Sequence, residues 1–560
     1  MQKLELTWIG KGDEPAVEPR ILLHDASKDY GDPAAENMLI HGDNLLALKA
    51  LEQEFAGKVK CIYIDPPYNT GSAFEHYEDN LAHSTWLSLM VPRLQILRNL
   101  LSDDGFLCCH IDDSEGHYIK VVLDEIFGRV NYLTTFYVQV RYPNKTLAED
   151  SDFQKVIEYC HIYAKQKTSA KINRPQAEYA IDKFEWKVIE KELGEVVELG
   201  RKRVEIFKPH QYDIVTIDPC LTGLKETWAT GSLTRVRASA GEFFELYLAD
   251  RKETDGLGCL YKVAGIGEDG LGFRYISGPK KATANKGKFY SGIPLNRLEE
   301  LESGKGSYRH LPVPNFYDYA GPFGNCRLEG GVSFKAGKKP EALIGMLINY
   351  FSNPNDFILD SFLGSGTTAS VAHKMGRRYI GIELGEACYT HCLSRLKAVI
   401  DGEQSGISKA LNWQGGGGFK FYELAPTLII TDKHGQPIIS DKYNPQMLVA
   451  AIAKLNGFTY APDAAVFWKQ GKSQGNSFIF VTTEYLTAAK LDDIARDVDE
   501  FEELVICAPA FDIGLSKRYD NITIRKIPQS VLDKCEYGAD NYNLNIVNPP
   551  ELDEEEWEHA

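Results

Sequence analysis

The chain of 560 residues carries 62 Lys/Arg against 79 Asp/Glu, a net charge of −17, with 43% hydrophobic residues. Its length predicts about three or four domains, and acidity of this size excludes a nonspecific nucleic-acid coat, which binds through surplus positive charge. The eleven cysteines form no CxxC pair, no apolar run is long enough to cross a membrane and Met1-Gln2-Lys3-Leu4-Glu5-Leu6 is no secretory leader, so reduced thiols and a cytoplasmic location are expected. Cys388 and Cys392 stand at helical spacing and read as core thiols, so no metal is expected.

Residues 1–35, broken by Gly10, Gly12, Pro15, Pro19, Gly31 and Pro33, predict an irregular N-terminal arm. Leu39-Ile40-His41-Gly42-Asp43 then reads as a short strand ending in an acid, and Leu45, Leu46, Leu48, Leu51 and Phe55 repeat at helical spacing before Gly57. The next apolar run, Cys61-Ile62-Tyr63-Ile64, ends in Asp65-Pro66-Pro67-Tyr68. An aspartate oxygen and a carbonyl of the proline-stiffened turn both accept hydrogen bonds, and the tyrosine ring offers a stacking face. That combination suits an amino group on a planar base. Residues 86–101 form an amphipathic helix, 106–111 a buried strand ending in Asp112-Asp113, 119–127 another helix and 156–163 a later strand. Such alternation over 36–165 implies a mostly parallel sheet with helices on both faces.

Residues 166–330 break the rhythm with glycines and charged turns and read as an inserted domain. Between 271 and 339 the balance turns basic, 12 Lys/Arg against 5 Asp/Glu. Arg274, Lys280, Lys281, Lys286, Lys288, Arg297, Lys305 and Arg309 interleave there with Phe273, Tyr275, Phe289, Tyr290 and Tyr308, a mixture suited to phosphates and unstacked bases. Alternation resumes over 331–424. Asn355-Asp356-Phe357-Ile358-Leu359-Asp360-Ser361-Phe362-Leu363-Gly364-Ser365-Gly366-Thr367-Thr368 is a strand, an acid, a glycine turn and a helix start. A further strand, 378–382, leads to Glu383, about twenty residues after the glycine turn, where doubly wound folds grip a ribose. The turn has neither GxGxxG nor Gly-Lys-Ser/Thr, and its acid suits a cationic ligand such as S-adenosylmethionine. Residues 425–560 predict a small separate α/β domain with an acidic, disordered tail, 12 Lys/Arg standing against 23 Asp/Glu from 421 onward. No nuclease constellation or Walker loop is legible in it, which leaves docking of a partner or a second copy.

Taken together these motifs resemble the amino-methyltransferases of DNA. Asp65-Pro66-Pro67-Tyr68 matches their catalytic motif and Asp360-Ser361-Phe362-Leu363-Gly364-Ser365-Gly366 their methyl-donor motif, and this order is similar to the permuted β class. Tyr68-Asn69-Thr70-Gly71, Trp86-Leu87-Ser88-Leu89-Met90 and Gly415-Gly416-Gly417-Gly418-Phe419 resemble the modification subunits of type III restriction systems. The resemblance implies a circularly permuted class I S-adenosylmethionine-dependent methyltransferase fold, a doubly wound sheet whose catalytic half is 36–165 and donor half 331–424, with 166–330 reading the target. It implies catalysis by Asp65, Pro66, Pro67 and Tyr68. It also implies a donor site in which Asp43 faces the adenine, Glu383 the ribose and Asp360 the methionine amino group. Phe362, Gly364, Ser365, Gly366 and Thr367 would hold the donor, and Phe334, Lys339 and Pro340 would close over its methionine part. Double-stranded DNA, met by Arg274, Lys280, Lys281, Lys286, Lys288 and Arg297, would be the substrate. A separate ATP-dependent restriction (helicase-nuclease) subunit and a homodimer are the expected assembly. Three activities stay open: adenine-N6 methylation, which Asp rather than Ser at position 65 favours; cytosine-N4 methylation; and a catalytically silent DNA-recognition subunit.

Overall fold

The computed structural model describes residues 5–12, 17–18, 20–68, 83–143, 153–228, 239–267, 269–284, 287–304, 307–334, 337–431, 434, 436–473 and 475–527. The chain divides into two compact units, Met1–Asn173 with Pro314–Ala560, and Arg174–Val313.

The first unit is built on an eleven-stranded mixed sheet. Its strands are β1 (Leu22–His24), β2 (Tyr30–Gly31), β3 (Met38–His41), β4 (Val59–Ile64), β5 (Leu101–Ile111), β6 (Tyr132–Gln139), β7 (Ile157–Ala164), β8 (Phe316–Asp318), β9 (Phe357–Asp360), β10 (Arg378–Glu383) and β11 (Gly418–Leu424). They lie in the order β1-β11-β3-β10-β9-β4-β5-β7-β6-β8, with β2 also paired to β11. From β11 to β5 every neighbour is parallel. β7 enters antiparallel to both β5 and β6.

Burial on both faces explains these near-continuous apolar strands. Ile62 and Ile64 of β4, Leu359 of β9 and Ile380 and Ile382 of β10 join one cluster with the helices α1 (Asn44–Phe55) and α2 (His83–Leu100). α1 contributes its leucine stripe, Leu45, Leu48 and Leu51, and α2 contributes Trp86, Met90, Leu94 and Leu97. Alternate strand residues point the other way, and Cys61, Tyr63 and Ile358 are equally buried there. Each such side chain stabilises the fold by about 1.5–3 kcal/mol relative to exposure. No helix among the described residues is long and apolar enough to cross a membrane.

Three boundaries differ from expectation. The arm is not irregular throughout, because β1 and β2 pair with β11 and cover what would otherwise be an open sheet edge. The second unit is shorter than 166–330. Asn173 stays with the first unit by donating to the carbonyls of Asn349 (3.1 Å) and Ser352 (3.0 Å), and β8 adds in parallel to β6. The segment after 424 is not apart either. Ile21 of the arm shares a core with Ala425, Leu428 and Ile452, and the five strands Thr459–Tyr460, Gly471–Lys472, Ser477–Val481, Glu503–Ala508 and Ile522–Lys526 belong to the same unit as the main sheet. The acidic tail lies outside the described residues.

The second unit carries regular structure where 166–330 reads as turn-rich. Six antiparallel strands run in the order Glu195–Leu199, Lys202–Phe207, Leu260–Ala264, Phe273–Ser277, Lys288–Ser291, Lys225–Trp228. They are four to six residues long, too short for a period to stand out between glycine turns.

Candidate active site

Four acids stand at the carboxyl ends of four consecutive parallel strands. Asp43 follows β3, Glu383 closes β10, Asp360 closes β9 and Asp65 follows β4. The register sets Ile382 beside Ile40, Asp360 beside Gly381 and Leu359 beside Ile62. The two motifs, remote in sequence, therefore end side by side. In open α/β sheets this edge is where ligands bind.

The glycine-turn side is tied together by its own acids. Asp360 Oδ1 accepts the Phe362 N–H at 2.9 Å and Oδ2 accepts the Thr368 hydroxyl at 2.5 Å. Burial lifts the Asp360 carboxyl to about 7, with Asp65 and Glu383 adding to the rise against those two hydrogen bonds. Glu383 accepts from the N–H groups of Gly364 (2.7 Å) and Gly385 (3.1 Å). Gly366 has φ +78° and heads the helix α4 (Thr367–Lys374), and a Cβ there would stand 3.3 Å from the Cys392 Cα. Both the backbone angle and the close approach require glycine. The Ser365 and Thr367 hydroxyls meet each other at 3.1 Å, and Arg395 donates to Thr367 Oγ1 at 2.7 Å. Their side chains thus brace the loop from behind.

Asp43 does two things at once. Its Oδ1 caps α1 by accepting the Leu46 N–H at 2.9 Å, while its buried Oδ2 has no hydrogen-bond partner among the described residues. Phe362 is buried, the Phe334 ring meets His391 edge-on at 5.1 Å, and Cys392 Sγ donates to the Gly364 carbonyl at 3.2 Å.

On the Asp65 side the arrangement is asymmetric. Oδ2 pairs with Lys339 Nζ at 2.9 Å, whereas the buried Oδ1 has no partner among the described residues. The Trp86 indole N–H occupies the Pro67 carbonyl at 2.8 Å, and no described residue donates to the Pro66 carbonyl. Among the described residues, two acceptors in neighbouring positions, Asp65 Oδ1 and the Pro66 oxygen, therefore have no donor. Tyr68 turns its hydroxyl to Glu158 Oε2 at 3.1 Å, and burial keeps its phenol neutral, with the Asp65 and Glu158 charges adding to the upward shift. Lys339, expected over a donor, instead sits against Asp65. Pro340 beside it is the residue before the helix α3 (Glu341–Phe351).

The profile of the N6/N4 methyltransferase family, described as DNA methylase, matches residues 59–392. The chain belongs to this DNA methylase family.

Among curated relatives of this methylase chain, the "Probable type III restriction-modification enzyme HindVI Mod subunit" of Haemophilus influenzae is 35% identical over 71% of this chain and 55% of its own length. The EcoPI Mod subunit of Escherichia phage P1, named a type III restriction-modification enzyme subunit, is 25% identical over 68% of this chain and 62% of its own. The EcoP15I Mod subunit of Escherichia coli is 24% identical over 77% and 73%. The chain spans 55–62% of the length of the first two of these relatives.

The donor this family implies can be tested against the residues present. Asp360 feels the charges of Asp65 and Glu383, and Asp43 Oδ2, 3.7 Å from Arg93 Nη2, has no hydrogen-bond donor among the described residues; a cationic ligand with an adenine amino group would satisfy both. The donor set fits.

Sequence patterns gave no warning of Glu158, His110, Arg395 and Glu341. Glu158 and His110 lie inside apolar strand runs, and a polar group at a buried strand position was the available signal. Arg274 pairs with Asp269 (3.5 Å), Lys288 with Glu226 (2.7 Å) and Arg297 with Glu300 (2.9 Å), so these charges are already compensated. Tyr275, Phe289 and Tyr290 are buried in the cores of the second unit, so they are packing residues and no stacking platform. Lys280 and Lys281 are exposed, and Lys286 and Lys305 lie outside the described residues.

Proposed function

We propose that the chain is a site-specific DNA methyltransferase that moves a methyl group from S-adenosylmethionine to adenine N6 of a base flipped out of duplex DNA. One observation carries this reading: Asp65 Oδ1 and the Pro66 carbonyl have no hydrogen-bond partner among the described residues at the end of β4, next to the acid-lined glycine turn that follows β9. An exocyclic amino group has two hydrogens, and two neighbouring acceptors can take both. Doing so draws the nitrogen lone pair out of conjugation with the ring and aims it, which is the main task when the electrophile is already activated. When bound, the donor supplies a methyl group made electrophilic by its sulfonium.

The chain's own residues do the rest. Asp360 takes the donor's ammonium, Glu383 its ribose and Asp43 Oδ2 its adenine amino group, while Phe362, Gly364 and Gly366 shape the wall. Tyr68 stacks on the extruded base and recovers part of an unstacking cost on the order of a few kcal/mol. The core is circularly permuted in this reading, since the catalytic strand β4 precedes the donor strand β9 in the chain. Residues 174–313 serve as the inserted target-recognition domain, with Lys280 and Lys281 toward phosphates. The relatives' names support a modification subunit of a type III-like system; in this reading it works with a helicase-nuclease partner and as a dimer, with the segment after 424 as the docking part.

Incubating the chain with labelled donor and duplexes of varied sequence, then analysing nucleosides by mass spectrometry, tests the reading. N6-methyladenine is the expected product. N4-methylcytosine would replace adenine by cytosine, and donor binding without product would leave only a recognition role. Asp65→Ala is expected to abolish transfer while donor affinity stays within about twofold, because loss of one transition-state contact need not touch ground-state binding.

A further inference from the structure

Behind Asp65 lies a cluster that the roles assigned above do not use. Lys339, whose side chain is 7% exposed, places its ammonium 2.9 Å from Asp65 Oδ2 and 3.6 Å from Glu158 Oε2. The same ammonium lies 4.9 Å from the centroid of the Tyr68 ring, over one face. Glu158, the second residue of β7, receives the Tyr68 hydroxyl at 3.1 Å, and its Oε2 lies 2.9 Å from Nε2 of the fully buried His110 on β5. His110 Nδ1 in turn meets the Tyr63 hydroxyl at 3.0 Å. Asp65 and Tyr63 come from β4 and its end, Asp360 from β9, and the buried Cys109 and Cys160 are further titratable groups, among the described residues, that interact with this chain of contacts.

Two carboxylates held this close in a buried place cannot both stay ionised without a cation between them. Lys339 is that cation. Burial alone would lower its ammonium, but Asp65 and Glu158 outweigh it and hold it protonated. Burial would likewise raise Glu158, yet Lys339, His110 and Tyr68 bring it down to about 2.

Resting on the methyltransfer reading above, we propose that Lys339 is a positioning residue of the transfer site, acting with Glu158 as its counter-anchor. By occupying Oδ2 it fixes the Asp65 rotamer, so that Oδ1 alone is offered to the amino group of the target. By covering one face of Tyr68 and holding the phenol hydroxyl through Glu158, the pair leaves the opposite ring face for the base.

The test compares wild type with Lys339→Met, Lys339→Arg and the double variant Lys339→Met/Glu158→Gln. It measures kcat, both KM values and donor dissociation constants, and follows kcat against pH. Lys339→Met is expected to lose about 10- to 100-fold in kcat, the usual cost of removing a group that orients a reacting one. Donor affinity should stay within about twofold. The acid limb of its pH profile should move upward, because Asp65 and Glu158 now share a buried site without a counter-charge. Lys339→Arg keeps the charge and should keep the wild-type limb. The double variant removes one of the two competing carboxylates, so its limb should return toward wild type and its fold should survive even if Lys339→Met unfolds. A Lys339→Met or double variant that matches wild type in kcat and pH profile overturns the proposal, as does a limb that fails to return in the double variant. Carboxyl ¹³C titration of the same proteins without DNA reports the electrostatic claim separately: Asp65 and Glu158 resonances that titrate alike with and without Lys339 overturn it. Wild type that transfers no methyl group to any duplex would instead overturn the methyltransferase reading itself.

Discussion

The Glu383 carboxylate accepts the Gly364 N–H at 2.7 Å, so the acid at the end of β10 also closes the glycine turn at the end of β9. A residue with this double duty cannot be exchanged for its amide without cost. Glu383→Gln must turn its NH2 toward one of the two backbone N–H groups of Gly364 and Gly385. A buried donor facing a donor costs about 1–3 kcal/mol. Donor affinity is therefore expected to fall roughly tenfold or more, in line with that cost, and isothermal titration would measure it. Wild-type affinity in this variant would mean that the loop closes without the carboxylate.

Asp360 sets a second expectation, in pH. Its carboxyl is lifted to about 7, first by burial and then by Asp65 and Glu383, so without a ligand it holds a proton through much of the acid range. A carboxylate is needed to face an ammonium. Donor binding below about 7 must therefore expel a proton, and the affinity should drop about tenfold for each further pH unit, flattening above it. Asp360→Asn should bind weakly with no such slope. The same shift acts on the ligand-free fold with the opposite sense of gain. Stability from the protonated group is fully present below the ordinary carboxylate value of 3.8 and is lost as pH rises through about 7.

Much of this arrangement is legible from residue order alone, and the reason is local. A strand, an acid and a glycine or proline turn announce themselves over a few residues, so Asp65, Asp360, Glu383 and the strands that carry them follow from periodicity and turn chemistry. Side-chain partners are another matter. Lys339 reads as a donor contact because its neighbours Pro340 and Phe334 belong to a donor-closing segment, yet its ammonium meets Asp65, which only tertiary packing brings near. The basic stretch of 271–339 misleads for a related reason: its counter-charges Glu226 and Asp269 sit on facing strands or turns, and a count of charges along the chain cannot show pairing across a sheet. Short antiparallel strands also hide their alternation between charged turns, as Lys288–Ser291 does.

The buried carboxylate Glu341 supports a third expectation, in stability. It receives Arg395 at 2.8 Å and Lys374 at 2.7 Å, all three side chains being fully buried, and Glu403 also pairs with Lys374. Arg395 goes on to the Ser365 carbonyl at 3.2 Å and to Thr367 Oγ1, so the network ends on the glycine turn. Glu341→Ala leaves two buried cations with one remaining acid, which costs about 3–5 kcal/mol. Urea unfolding should show that loss, and the loosened turn should weaken donor binding in what still folds. Glu341→Gln retains one acceptor and should lose less.

The second unit supplies the last expectation, through salt. Each lysine that neutralises a DNA phosphate releases counterions, so the logarithm of affinity falls with the logarithm of salt by about 0.9 per contact. Lys280 and Lys281 are exposed on the segment between two strands of the antiparallel sheet, and no described residue is paired with either. Removing both as Lys280→Ala/Lys281→Ala should lower duplex affinity at every sequence and cut the salt slope by roughly two. Lys288 makes the contrast, because its ammonium is held by Glu226 and lies over the Trp228 ring at 4.8 Å. Lys288→Ala should leave the slope alone and cost stability at the β-ribbon it joins. If instead Lys288 governs the slope and Lys280 and Lys281 do not, the phosphate-facing surface lies on the strand and the ion pair with Glu226 must open when DNA binds.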